Sequence, residues 1–166
     1  LHGELTLTEM TGVLNHEKVR VHVSFTHGEG FGHPLLLASL SGKPVLSSNW
    51  SGHLDFLNPK YTSFFDGSLK QIDPASANDW LIKESSWFYV AYGLAEDKFK
   101  QYYHSYNQSY TDKAEQLRLQ NVEKFSLHAM DKKIWGILDK YVPEFSIEKK
   151  IVLPKLKKIE LPKLKN

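Results

Sequence analysis

Glu29 is the single acid in a glycine-rich run, THGEGFGH (residues 26–33). Gly28, Gly30 and Gly32 permit backbone angles and close approaches that side chains forbid. A helix starting at Pro34 would leave the amides of Gly30, Phe31, Gly32 and His33 as unpaired donors at its N-terminus, where its dipole also favours an anion. A phosphate fits there. A phosphate repels a carboxylate, so Glu29 is expected to accept hydrogen bonds from neighbouring hydroxyls, such as those of a sugar. His27, at the end of the preceding strand, is expected to hydrogen-bond the same ligand or to fix the loop. Phosphate plus polyol predicts a nucleotide sugar.

The flanking elements suit that placement. VRVHVSF (residues 19–25) alternates apolar and polar residues and is rich in β-branched types, as a strand requires. Pro34 is tolerated in a first helical turn, and LLLASLS runs to Gly42, a natural C-terminal stop. Lys43-Pro44 leads to a short strand at Val45 and Leu46 and then to the loop SSNWSG. Two strands joined by one short helix form a parallel, right-handed crossover, which marks an α/β protein. In open sheets of this kind ligands collect beyond the carboxyl ends of the strands, where HGEGFG lies.

Other readings of the turn are weaker. It could be only a tight connection. A GxGxxG fingerprint fails from Gly28, because His33 occupies its last position, and from Gly30, because Leu35 does. No acid follows the second strand to hold a ribose, so NAD binding is disfavoured. His27 and His33 flank Glu29, but His-x5-His is not a usual ligand spacing, and no metal is expected. Lys18, Arg20 and Lys43 are read as solvated.

The stretch EGFGHPLLLASLSGKPVLSSNWSGHLDFL (residues 29–57) resembles the donor-binding signature of retaining GT-B glycosyltransferases, the group 1 family that includes glycogen and sucrose synthases. Glu29, Gly30, Phe31, Gly32, Pro34, Ala38, Gly42, Pro44, Val45, Gly52 and Asp55 fall on the family pattern. The resemblance implies a Rossmann-like parallel sheet flanked by helices, the partial C-terminal half of a GT-B fold. It also implies a donor domain that holds a nucleotide-diphospho-hexose as substrate, without a cofactor, and transfers the hexose with retention. Glu29 would be the catalytic residue that orients the sugar. His27, Gly28, Gly30, Phe31, Gly32 and His33 would bind the donor. Asp55 would cap or pair locally.

The chain departs from the pattern at one place. The family has a second Glu eight positions after the first, resembling a clamp on the donor ribose, and here that residue is Leu37. Losing one charge-assisted hydrogen bond costs about 1.5–3 kcal/mol, roughly ten- to a hundredfold in affinity. A degenerate, non-catalytic binding or structural module is therefore the alternative. The segment LHGELTLTEMTGVLNHEK (residues 1–18) resembles the family stretch before the donor strand, with a helix over residues 8–14 capped by Thr8. In the family the acceptor domain and the first donor-domain strands precede this point. A start at Leu1 agrees with a cut or processed chain, expected to be inactive alone.

Farther along, the sequence predicts a short helix over residues 53–57 and a strand over 63–65. The segment DPASANDWLIKESSWFYVAYG (residues 73–93) is read as irregular, its aromatic residues as core. Helical patterns run over residues 94–108, 111–125 and 126–142, with Asp112 and Ser126 near starts. Leu127, Met130, Ile134, Ile137, Leu138 and Tyr141 form one apolar face. These helices are expected to cover the sheet.

The 166 residues suit one modest domain, which buries about two-thirds of its unfolded surface. No apolar run approaches a membrane span, no signal pattern begins the chain, and the absence of cysteine is compatible with a cytoplasmic protein. The expected domain covers residues 1–145. Residues 146–166 form a tail in which IVLPKLKK is followed by IELPKLKN, with Pro154 and Pro162 forbidding a continuous helix. Residues 149–166 carry seven lysines and one glutamate, +6, so the rest of the chain carries −4 of the net +2. Contact of such a tail with an anionic membrane or nucleic acid is one reading. The preferred one is a strap lying on the acidic body or on a further domain. Removing residues 149–166 then lowers the melting temperature; an unchanged melting curve with lost binding to anionic vesicles or nucleic acid would favour the first reading.

Overall fold

The computed structural model describes residues 3–143, so the tail repeat lies outside the described residues. The chain divides into two compact units, Leu1–Asp131 and Lys132–Asn166. The first holds a mixed α/β fold. A helix α1 (Leu7–Asn15) precedes strand β1 (His22–Ser24), helix α2 (His33–Leu40) and strand β2 (Val45–Ser48). A 3-10 turn (Gly52–Asp55) leads to β3 (Ser63–Phe65), followed by β4 (Gly67–Gln71), a second 3-10 turn (Pro74–Ser76) and β5 (Ser86–Val90). Helices α3 (Tyr92–Ser105), α4 (Gln108–Phe125) and α5 (Leu127–Tyr141) complete the described chain.

The strand-helix-strand unit forms as its sequence dictates. β1, β2 and β3 make a parallel sheet with β2 in the centre, pairing His22 with Val45, Ser24 with Ser47 and Ser48 with Phe65. A central strand is buried on both faces and sends alternate side chains into two layers. Val45 joins Leu35, Leu36, Ala38, Phe56, Leu57 and Leu117, a layer built from α2, α4 and the residues after the first 3-10 turn. Leu46 points the other way, into Phe65, Phe88, Val90, Ala95 and Tyr102 from β3, β5 and α3. Two polar ties, one buried and one half-buried, fix the helices. Asn121 Nδ2 donates to Ser39 Oγ at 2.8 Å, joining α4 to α2, and the hydroxyls of Tyr102 and Ser63 lie 2.9 Å apart, joining α3 to β3.

Several local expectations are corrected. Thr6, not Thr8, caps α1: its Oγ1 accepts from the Glu9 N–H at 3.3 Å, while Glu9 Oε2 accepts from the Thr6 N–H at 2.8 Å. This is a capping box, in which two orphan donors are satisfied reciprocally. Asn107 caps α4, and Asp112 instead accepts from Gln108 Nε2 at 2.9 Å. Ser126 does act near a helix start, accepting from the Ala129 N–H at 3.2 Å. The residue 53–57 helix is a 3-10 turn. Lys43 is not simply solvated, because its ammonium donates to the His16 carbonyl; Arg20 lies 6.0 Å over the Tyr106 ring.

The larger correction is an antiparallel hairpin. β4 pairs with β5 from Gly67 opposite Val90 to Gln71 opposite Ser86, and β5 lies within the segment 73–93 expected to be irregular. Of the aromatic residues read as core, Phe88 is buried and Trp87 and Tyr89 are half-buried, but Trp80 is 95% exposed and Tyr92 71%. Helices α3 and α4 pack on the core through Ala95, Tyr102, Ala114 and Leu117. No residue of α5 is buried.

His22 starts β1 with its Nε2 3.0 Å from Ser41 Oγ. Burial holds its pKa below the ordinary histidine range, Lys43 adds to this, and the Leu14 carbonyl opposes it. The unfolded chain then binds more protons than the folded one as pH drops below about 6.5, so stability falls with falling pH in that range. Denaturant unfolding from pH 7.5 to 5 should show this slope, and His22→Gln should flatten it. An identical slope in both proteins would remove the assignment.

Candidate functional site

Two loops meet at the carboxyl ends of β1 and β2. Thr26 closes the first: its Oγ1 accepts from the Gly28 N–H at 3.3 Å and donates to the Gly28 carbonyl at 3.1 Å. The Glu29 N–H donates to Ser51 Oγ at 2.7 Å, and the Glu29 carbonyl accepts from the Gly52 N–H at 3.0 Å. The peptide units on both sides of Glu29 are therefore fixed to the second loop. The half-buried Glu29 carboxylate accepts no hydrogen bond from the described residues.

Of the three glycines expected to need unusual backbone, only Gly32 does. It is the N-cap of α2 at φ 88°, and a Cβ on it would lie 2.8 Å from His53 Cβ. Gly30 faces open space and Gly28 makes only ordinary contacts, so those two leave room rather than relieve crowding. The tightest approach is at Gly52, where a Cβ would sit 2.1 Å from the Gly30 carbonyl oxygen. No side chain other than hydrogen fits between the loops there.

The N–H groups of Gly30, Phe31, Gly32 and His33 find no partner among the described residues, whereas Leu35 and Leu36 already donate to the Gly32 carbonyl. Phe31 turns its ring to Phe56 and Phe125, with centroids 5.2 and 5.8 Å away, so its amide is what it can offer a ligand. His33 is exposed. Asp55 is exposed and caps nothing among the described residues, and Leu37 is half-buried on α2.

His27 is held by the hairpin. Its carbonyl accepts from the Phe88 N–H at 3.1 Å and its Nδ1 donates to the Phe88 carbonyl at 2.8 Å. Its ring is parallel to Trp87 at 4.8 Å, with Tyr89 at 4.9 Å. These contacts fix the loop and leave only Nε2 for a ligand.

Sequence reasoning passed over three residues. Ser51 takes φ 81°, the one positive φ outside glycine among the described residues. Such backbone costs about 1–3 kcal/mol and persists only where surroundings impose it. His53 is fully buried beneath Gly32, with Nε2 donating to the Ser48 carbonyl at 2.8 Å and lying 3.2 Å from Ser47 Oγ. Trp50 lies beside Gly28 and is 41% exposed. All three sit in or next to the SSNWSG loop, whose polar and glycine content signals a turn but not its contacts.

One apolar groove of about 490 Å³ lies elsewhere, lined by Arg20, Val21, Phe99, Tyr102, Tyr103 and Tyr106. No group of three or more His, Cys, Asp or Glu is placed to hold a metal ion among the described residues, and none of the described helices is long and apolar enough to cross a membrane. Compared with protein-family models, with curated proteins and with solved structures, the chain matches none.

The Ser51 strain gives an ordered prediction. Ser51→Ala loses the bond to the Glu29 amide and keeps the strained backbone; Ser51→Gly loses the bond and relieves the strain. Denaturant unfolding should therefore find Ser51→Ala the less stable by about 1 kcal/mol. The reverse order would mean that Ser51 is not strained.

Proposed function

We propose that residues 26–56 form the donor site of a retaining glycosyltransferase. The observation that carries this reading is the Glu29 carboxylate followed by the amides of Gly30 to His33 on the approach to α2, none of which has a hydrogen-bond partner among the described residues. Both lie at the carboxyl ends of adjacent parallel strands, where α/β sheets bind ligands. The amides of Gly30 to His33 take the diphosphate of a nucleotide-diphospho-hexose. Glu29 takes hydroxyls of the hexose, and its fixed peptide units hold it there.

In the reaction the anomeric C–O bond to the diphosphate breaks, an acceptor hydroxyl forms the new bond on the same face, and its proton leaves with the nucleoside diphosphate. The developing negative charge on the departing phosphate faces amides that are already oriented, which stabilises it without reorganisation. Glu29 orients the sugar and need not attack it. The acceptor and the cations that neutralise the diphosphate would come from a further domain, so the chain by itself binds donor without turnover. The half-buried Leu37, where the family pattern has an acid, favours the second reading: a non-catalytic relative that keeps the fold and has lost the donor.

Calorimetry with a panel of nucleotide sugars separates the two. A donor site gives saturable heat with at least one of them, and Glu29→Gln weakens that binding roughly ten- to a hundredfold, the equivalent of about 1.5–3 kcal/mol. No saturable heat with any of them would reject the donor site.

A further inference from the structure

We propose that the indole of Trp50 is the stacking surface for the hexopyranose ring, forming with Glu29 a subsite that grips the sugar by its face and its rim. The inference rests on the donor-site reading above and names the residue that would select the carbohydrate.

Trp50 is carried by the loop that follows β2, immediately before Ser51, whose hydroxyl holds the Glu29 amide at 2.7 Å. A Cβ placed on Gly28 would lie 4.0 Å from both Cδ1 and Nε1 of the indole, so the ring sits against the residue preceding Glu29. Carboxylate and indole are thus carried on opposite sides of one hydrogen-bonded clasp. The indole plane is within 7° of the Phe88 ring, with centroids 6.4 Å apart, and Phe88 is buried in the core. A core residue therefore sets the tilt of a ring that remains 41% exposed. Trp80, also exposed, has no comparable support among the described residues.

The chemistry selects the ligand class. A pyranose presents hydroxyls around its rim and C–H groups on its faces. A carboxylate can accept from two hydroxyls, and an aromatic face covers the C–H groups. An anion alone would gain nothing from the face of the indole. A nucleobase would stack equally well and its ribose also carries two adjacent hydroxyls, so the nucleoside diphosphate without its sugar is the control that separates base from hexose.

The test measures binding of a nucleotide sugar, and of the matching nucleoside diphosphate without its sugar, to the unsubstituted chain, Trp50→Ala and Trp50→Leu. Leucine keeps an apolar group on Phe88 if alanine impairs folding, and thermal melting identifies the folded variants. Both substitutions should weaken the nucleotide sugar about tenfold, as loss of one aromatic stacking partner does, and leave the nucleoside diphosphate within about twofold. Equal weakening of the two ligands would put the base on the indole and overturn the proposal. Unchanged affinity in a folded variant would overturn it while leaving the donor site standing. Absence of binding to the unsubstituted chain would remove both.

Discussion

The site depends on the two hydrogen bonds that fasten the Glu29 peptide to Ser51 and Gly52. A glycine-rich turn is soft by composition, and without a partner its carboxylate would sample many positions at an entropic cost to any ligand. The clasp removes that freedom at the backbone, one atom from the Glu29 side chain. It works only because Gly52 has no Cβ to collide with the Gly30 carbonyl and because Ser51 accepts a backbone geometry that suits glycine. A glycine at position 51 would relieve the strain and lose the hydroxyl. The strain and the hydrogen bond therefore come from the same residue.

Beneath the clasp the protein keeps polar groups where apolar ones would pack more favourably. Ser47 and Ser48 end the central strand fully buried, and His53 fills the space below Gly32. The His53 ring ties the 3-10 turn to β2 through the Ser48 carbonyl. Ser48 Oγ and His53 Nδ1 are buried without partners among the described residues. Each such atom costs about 1–3 kcal/mol. Packing alone does not explain that expense at the seat of the loop. A directional contact that fixes the height of Gly32, and with it the α2 amides, does.

What could be read from sequence follows from how local each signal is. The β1-α2-β2 unit was legible because its periodicity, Pro34 and Gly42 lie within one short stretch, and α2 ends before Gly42 at φ 70° as a C-terminal glycine should. Thr6 and Glu9 were equally local, but the nearer Thr8 was read as the cap. The hairpin was not legible. β4 is GSLKQ, exposed at every position, and β5 is SWFYV, which lacks alternation; only pairing across a long connection makes either a strand. The turn around Glu29 could be located from residue types. The conformation of Ser51 and the tilt of Trp50 could not, since both are imposed by residues distant in sequence.

The cost of the site is borne by its neighbours on β2. One strained residue and two unpartnered buried atoms sum to several kcal/mol, comparable to the whole net stability of a small domain. Ser48 shares β2 with Val45 and Leu46, each at most 1% exposed and each packed into a different layer. Full burial of such side chains contributes about 1.5–3 kcal/mol apiece, the right size to offset the polar seat. The two core layers thus hold the loops in a geometry that their own sequences do not favour. Weakening either layer would loosen the clasp before it unfolded the sheet, because the loops carry strain and the parallel ladder does not. The geometry of the clasp and the packing of the core are therefore coupled here through β2.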